Sequence, residues 1–347
     1  MSRWAMRRVG ALMGLKDTKW RPAGPPVPAL PWLRYAASIA RYHNKSETAV
    51  KAWIKWTLGL LVLLVLALAA LVLVGRQMAE TKRTRQVDVK VQGVPWATDA
   101  TALERGRYLF MSRGCAECHG ANGGGREFVN DGKGTRIAGP NITPGGATAA
   151  YQPADWERVV RHGVKPNGQP VFIMPSEDYN RFTDEDLAAL VGFVRSLAPR
   201  TGDGRVMDLP LPAVVLYGLG IIPDAAQRID HALPPSKPVP QGVTVAHGAY
   251  VASMCIGCHG SGLSGGKIPG GPPDWPPAAN LTPGEGGVMA AYPDAQSFVA
   301  MLRSGKRPNG TAIQVMPFGS LRELSDTDAQ AVYAYLKTVP AKPGGQH

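Results

Sequence analysis

Cysteine occurs four times among 347 residues, and both pairs share one pattern: Cys115-Ala-Glu-Cys118-His119 and Cys255-Ile-Gly-Cys258-His259. Two thiols three apart, followed at once by an imidazole, form the haem c attachment pattern. Each thiol can add to one haem vinyl group, and His119 or His259 then lies beneath the iron as its proximal ligand. A thioredoxin-like redox pair needs no neighbouring histidine and would not normally occur twice with one. A zinc site made from both pairs would leave both histidines unexplained and require segments 140 residues apart to meet. The cysteines are therefore assigned to two covalently bound haem c groups, and none is left for a disulfide.

The duplication runs beyond the cysteines. Arg161-His-Gly-Val-Lys-Pro-Asn-Gly-Gln-Pro-Val-Phe-Ile-Met-Pro175 aligns without a gap on Arg303-Ser-Gly-Lys-Arg-Pro-Asn-Gly-Thr-Ala-Ile-Gln-Val-Met-Pro317, at an offset of 142 that also carries Trp156 onto Phe298 and Thr183 onto Ser325. Two copies of one domain follow, over residues 102–199 and 244–347. Helices are expected over 102–113 and 245–254, leading into the cysteine motifs, and over 153–162 and 293–304. A last helix in each copy opens with Thr183-Asp-Glu-Asp186 or Ser325-Asp-Thr-Asp328, where a hydroxyl caps the first turn and an acid follows three residues on. Pro199 and Pro340 mark their ends. Residues 120–150 and 260–292, rich in Gly and Pro, are long for loops in a compact domain unless a haem fills the core they enclose.

An electron-carrying haem usually has a second axial ligand, and a methionine thioether opposite histidine raises its potential. Met174 lies 59 residues after Cys115 and Met316 lies 61 after Cys255, each followed by a proline that holds the preceding residue extended. Their equivalence across the repeat makes them the candidate sixth ligands. Met111, Met254, Met289 and Met301 are unpaired across the repeat and read as packing. No Ser/His/Asp or paired-carboxylate arrangement stands out, so no catalytic residue is assigned.

The net charge of +12 suggests nucleic-acid binding until it is located: residues 1–55 hold eleven Lys and Arg against two acids, or +9. The basic head precedes an uncharged run, 56–75, whose ~20 residues span ~30 Å as a helix, the thickness of a bilayer's hydrocarbon core. This reads as a single transmembrane helix. A signal peptide would begin nearer the start and have a shorter apolar region. The positive flank places the head in the cytoplasm, and haem c attachment, which bacteria carry out beyond the cytoplasmic membrane, places both repeats in the periplasm. Residues 1–20 could be a basic amphipathic helix on anionic lipid or a disordered tail. Residues 22–31 read as a polyproline-like spacer, 33–55 as a helix entering the span, and 76–101 as a polar tether.

With these features in place, the chain resembles the class I cytochromes c. More closely it is similar to bacterial dihaem or trihaem cytochrome subunits that take electrons from periplasmic and membrane dehydrogenases. The resemblance covers residues 102–340 and rests on Cys-x-x-Cys-His, the Asn141-Ile-Thr-Pro144 and Asn280-Leu-Thr-Pro283 turns, the Met-Pro pairs and the acid-capped last helices. It implies a mainly α fold: one N-terminal transmembrane helix followed by two tandem cytochrome c domains. It also implies that the first and last helices of each domain cross at a glycine facing an aromatic ring, Gly106 with Phe193 and Gly248 with Tyr335. The chain departs from the pattern in having two haem motifs rather than three and its anchor behind a basic head.

Remaining features have plainer readings. Asn141-Ile-Thr matches a glycosylation sequon, but the haem turn explains it better. His162, replaced by Ser304 in the second repeat, reads as a surface histidine, and Gly123-Gly-Gly125 as a flexible loop. The linker, 200–243, has an apolar centre at 213–222 that is too short to span a bilayer and would pack across the inter-domain seam or onto a partner. The expected function is single-electron transfer, not catalysis, by a membrane-anchored periplasmic dihaem cytochrome. Two versions stand: the electron-accepting subunit of a dehydrogenase complex, or a tethered carrier between a quinol-oxidising complex and a terminal oxidase. The outside alternative is a dihaem peroxidase with an open coordination site.

Overall fold

In a computed structural model, residues 31–345 other than 273 are described, so the readings for 1–20 and most of the proline-rich spacer lie outside them. A long helix, α1 (Pro31–Thr84), takes in the expected helix at 33–55 and the uncharged run, and then continues nine residues past it. Its segment Val50–Thr84 is long and apolar enough to cross a membrane.

Residues 76–84, expected in a polar tether, are thus helical. The rest of that segment lies along the first repeat instead of hanging free. Val87, Val89 and Val91 alternate in an extended chain, pack together with Val164 and Ala226, and Val87 N–H donates to Gly168 O at 2.9 Å. Glu157 accepts from Gly93 N–H at 2.8 Å, and Ala97 N–H donates to Ala188 O at 3.0 Å. Period-2 apolar spacing within a polar stretch is a strand-like pattern, and its buried side found a partner.

The first repeat is built from α2 (Ala100–Ser112), α3 (Cys115–His119), α4 (Pro153–His162) and α5 (Asp184–Ser196), with a hairpin, β1 (Arg126–Asn130) and β2 (Arg136–Gly139), between α3 and α4. The hairpin was not expected in the Gly-rich loop. Its turn is built by Asp131, whose carboxylate accepts from Lys133 N–H at 2.7 Å and Thr135 N–H at 2.9 Å, with Gly132 and Gly134 at positive φ. A third antiparallel strand, β3 (Val206–Asp208), comes from the linker and pairs with β2.

The linker continues as α6 (Leu211–Gly218) and α7 (Ala225–Arg228). Its apolar centre does not fill the domain seam: α6 packs on the end of α1, where Val215 lies against Gly75, and Tyr217 packs edge-on against Phe172 at 4.6 Å. The second repeat follows as α8 (Val245–Val251), α9 (Ile256–His259), α10 (Ala295–Ser304), α11 (Phe318–Leu321) and α12 (Asp326–Leu336).

Each repeat has its own core: Leu109, Phe110, Trp156, Leu187 and Val191 in the first, and Val251, Phe298, Leu302, Val332 and Leu336 in the second. Met289 and Met301 are buried in the second core, and Met111 and Met254 pack at the edges of the two. First and last helices cross where a Cβ on Gly106 would strike Ala189 O and one on Gly248 would strike Ala331 O, each beside the Cβ of Phe193 or Tyr335. Only glycine permits that approach. The last helices are capped as their sequences imply, Thr183 Oγ1 accepting from Asp186 N–H and Ser325 Oγ from Asp328 N–H, both at 3.1 Å.

Candidate functional site

The first cysteine motif forms the single helical turn α3, and in the second Cys255 ends a 3-10 turn and caps α9; each is closed by a glycine at positive φ, Gly120 or Gly260. Spacing of three and four residues sets Cys115, Cys118 and His119 on one side of that turn. His119 Nδ1 lies 2.9 Å from Pro140 O, and His259 Nδ1 lies 2.8 Å from Ala279 O. A carbonyl can only accept, so the proton sits on Nδ1 and Nε2 keeps its lone pair in each repeat, the tautomer a metal ligand needs. Burial holds the imidazolium form of His119 down, which keeps the ring neutral.

The partners of these rings are positioned by the turns that follow. Gly139 ends β2 where a Cβ would strike Cys118 O, which brings Pro140 against His119. Asn141 Oδ1 then accepts from Thr143 N–H at 3.0 Å, while its amide donates to Arg200 O and Gly202 O at 2.7 and 2.8 Å. Asn280 repeats this, accepting from Thr282 N–H at 2.9 Å and donating to Lys342 O at 2.8 Å. The Asn-x-Thr-Pro segments thus tie the histidine-bearing turn to the chain beyond the last helix, which explains their recurrence. Pro140 and Ala279 differ in identity because only their carbonyls act, and a backbone role leaves no residue signature. The Gly123-Gly-Gly125 loop is pinned, with Gly125 N–H donating to His119 O at 2.8 Å.

Cys115, Cys118, His119 and Met174 all line one cavity of about 1000 Å³, at the top of the roughly 300–1,000 Å³ range of ligand sites. Met174 is held by the turn after it: Ser176 N–H donates to Met174 O at 2.9 Å and Ser176 Oγ to Val159 O at 2.9 Å. In the second repeat, Cys255 and Met316 pack against a common core, His259 is buried and Cys258 is exposed. Phe318 N–H donates to Met316 O at 2.9 Å, as Ser176 does to Met174.

The four thiols form no disulfide. Burial pushes Cys115 and Cys255 up to about 12 and Cys118 up to about 11, the reverse of the lowered thiol of a redox Cys-x-x-Cys. No group of three or more His, Cys, Asp or Glu that could hold a metal ion occurs among the described residues. A large, mainly apolar cavity holding two thiols, an imidazole with a free Nε2 and a thioether fits a covalently attached haem.

His162, read as a surface side chain, is instead buried, its Nδ1 3.1 Å from Nδ1 of His231 in the linker. Burial, then His231, pushes it down to about 4. It lies away from the cavity lining, and the second repeat carries Ser304 at the matching position.

Residues 103–198 match the family model described as cytochrome c, and 244–336 match that of cytochrome c oxidase, cbb3-type, subunit III. The chain carries two cytochrome c domains. Among curated relatives, the fructose dehydrogenase cytochrome subunit of Gluconobacter japonicus is 28% identical over 278 residues, 72% of this chain and 54% of that protein. The gluconate 2-dehydrogenase cytochrome c subunit of Pantoea cypripedii is 28% identical over 284 residues, 72% and 62% of the two chains. A diheme cytochrome c-type protein of Cereibacter sphaeroides is 29% identical over 280 residues, 68% of this chain and 86% of its own length. The chain spans less than two thirds of the two dehydrogenase subunits. Cytochrome c domains imply covalently bound haem c.

The two cytochrome c domains meet face to face through matched contacts. Tyr108 OH of the first donates to Asp328 of the second at 2.7 Å, and Tyr250 OH of the second donates to Asp186 of the first at 2.6 Å. At the 142-residue offset these are the same pair twice. Ser320 Oγ donates to Glu117 Oε1 at 3.1 Å, inside the first cysteine motif, and Gly257 N–H, inside the second, donates to Asp178 Oδ1 at 2.8 Å. Arg113 adds a bond to Asp328 Oδ2 at 2.8 Å, with both side chains 2% exposed. Both Cys-x-x-Cys-His turns therefore border the seam.

Proposed function

We propose that this chain is a membrane-anchored dihaem electron-transfer protein in which both haems are held by two thioethers and by histidine and methionine. The observation that carries this reading is the cavity lined together by Cys115, Cys118, His119 and Met174. The repeat-matched His259 and Met316, with Cys255 and Cys258, support a second site. Bound haem supplies a one-electron Fe(III)/Fe(II) couple. His119 and His259 offer Nε2 because their Nδ1 protons are committed to backbone carbonyls. Met174 and Met316, each on a Met-Pro turn, would hold the group through their thioethers, an arrangement that would favour electron passage over substrate binding at the metal. The seam brings both attachment turns together and supports electron passage between the domains.

The chain acts as the electron-accepting subunit of a dehydrogenase complex, in keeping with what its relatives' names say of them. A tethered carrier to a terminal oxidase is the other version, favoured by the oxidase-subunit match of the second domain. The apolar segment of α1, with +9 before it, supports a single cytoplasmic-membrane span with the haem domains in the periplasm. Mass spectrometry of the intact chain, with a haemochrome assay, should give two haems per chain. Purification from membranes in mild detergent should retain a dehydrogenase. Retention of an oxidase alone would select the other version, and one haem or none would sink the dihaem reading.

A further inference from the structure

Residues 209–223 form a stretch of fifteen without Asp, Glu, Lys, Arg or His, bounded by Asp208 and Asp224. Within it, Val215 and Tyr217 of α6 are buried, yet Leu211, Leu216, Leu219 and Ile221 keep 43, 38, 41 and 64% of their surface exposed. A surface segment that is apolar on its outer side as well as its inner side calls for a second apolar neighbour.

Its position identifies that neighbour. A Cβ on Gly75 would lie 2.8 Å from Val215 Cγ1, and one on Gly218 would strike Gly75 O, so α6 packs on α1 at Gly75. Gly75 is the last residue of the uncharged run, and Arg76 follows. The exposed apolar side of α6 thus adjoins the last apolar residues of the run, 69–75, at the level where the chain turns from apolar to charged. The contact is locked from the polar side: Lys82 Nζ donates to Tyr217 O and Ile222 O at 3.0 and 2.8 Å, and Arg85 grips Asp224 through two bonds of 2.6 and 2.7 Å.

We propose that residues 209–222 lie in the interfacial layer of the membrane, with Leu216, Leu219 and Ile221 among lipid acyl chains. This rests on α1 being a membrane anchor. Lipid is the occupant because it already surrounds the apolar residues that α6 adjoins, and an interfacial segment buries its apolar face ~5–10 Å into the headgroup/acyl boundary. The consequence is functional. Arg76, Ala79, Glu80 and Arg83 of the same turns line the first haem cavity, so that cavity is held at the membrane surface and does not swing on a tether.

The test uses the purified full-length haem protein in liposomes containing a phospholipid with a diazirine high on its acyl chain. After illumination, lipid adducts are mapped by mass spectrometry, with residues 56–75 as internal control. Labelling of 209–223 is expected about tenfold above that of exposed peptides of the second domain, and Ile221→Glu should remove about tenfold of it while leaving the span labelled. A labelled span with unlabelled 209–223 overturns the inference and leaves the anchor standing. Unlabelled 209–223 that instead crosslinks to a second copy assigns the face to a protein interface and also overturns it. An unlabelled span removes the anchor reading and this inference with it.

Discussion

Tyr108 of the first domain donates its hydroxyl proton to Asp328 of the second at 2.7 Å, 220 residues away, and the same oxygen accepts from Ser325 N–H at 3.0 Å. Tyr250 does the same in the other direction, to Asp186 at 2.6 Å and from Thr183 N–H at 3.3 Å. One duplicated residue pair therefore builds both halves of a self-complementary seam, as in a symmetric dimer whose subunits have been joined.

Tyr108→Phe and Tyr250→Phe should each lower stability by about 1 kcal/mol, since the carboxylates keep other partners. Thermal unfolding of the singles and the double variant checks this. An unchanged midpoint in the double variant would mean the seam is not formed in solution.

Asp328 gives the seam an acid limit. Burial alone would raise its carboxyl, but the charge and hydrogen bond of Arg113, then bonds from Tyr108 and His247, outweigh it and hold the group down to about 2 from an ordinary 3.8. The folded state therefore favours the carboxylate. That stabilisation is complete above pH ~4 and fades as pH falls through ~2, amounting to on the order of 2–3 kcal/mol. Asp328→Asn should flatten this part of the stability profile. At neutral pH it should cost about 3–5 kcal/mol by leaving buried Arg113 unpaired. A parallel, merely shifted acid profile would exclude Asp328 as the titrating group.

Gly106→Ala and Gly248→Ala each place a methyl where Ala189 O or Ala331 O stands. A backbone carbonyl cannot step aside, so the crossing helices must separate, at about 1–3 kcal/mol each. The expected outcome is a lower melting temperature and less haem-loaded protein for each variant. Wild-type yield and melting in either would show that the helices do not approach this closely.

Met174→Ala and Met316→Ala should each remove about half of the near-infrared sulfur-to-iron band of the oxidised protein. Each should also open one iron to carbon monoxide, which the reduced wild-type protein should not bind at neutral pH. Binding by undamaged wild type would point instead to the peroxidase-like alternative.

How far the sequence is legible follows from how local each feature is. The capped last helices and the α4 helix appear where their sequences place them, because capping and amphipathic spacing act within a few residues. The hairpin at residues 126–139 is not legible in the sequence although Asp131-Gly-Lys-Gly is a turn signal, because its strands are only five and four residues long and β1 buries little. The supposed tether was misjudged for a different reason: its three valines are too few to mark a strand until Val164 and Ala226 meet them. His162 reads in sequence as a surface histidine because the residue that meets it, His231, lies in a linker with no counterpart in the other repeat.

By itself, the sequence determined the two Cys-x-x-Cys-His motifs, the duplication, the paired Met-Pro segments and the apolar run, since each is a covalent spacing or a local periodicity written in consecutive residues. Only the tertiary structure decided which carbonyls set the histidine tautomers, that α6 rides on the C-terminal part of α1, and that Tyr108 and Tyr250 are exchanged across a seam bordered by both cysteine-motif turns. Those depend on groups 20 to 220 residues apart, which reach one another only after the helices have crossed at Gly106 and Gly248 and the chain has closed its cores.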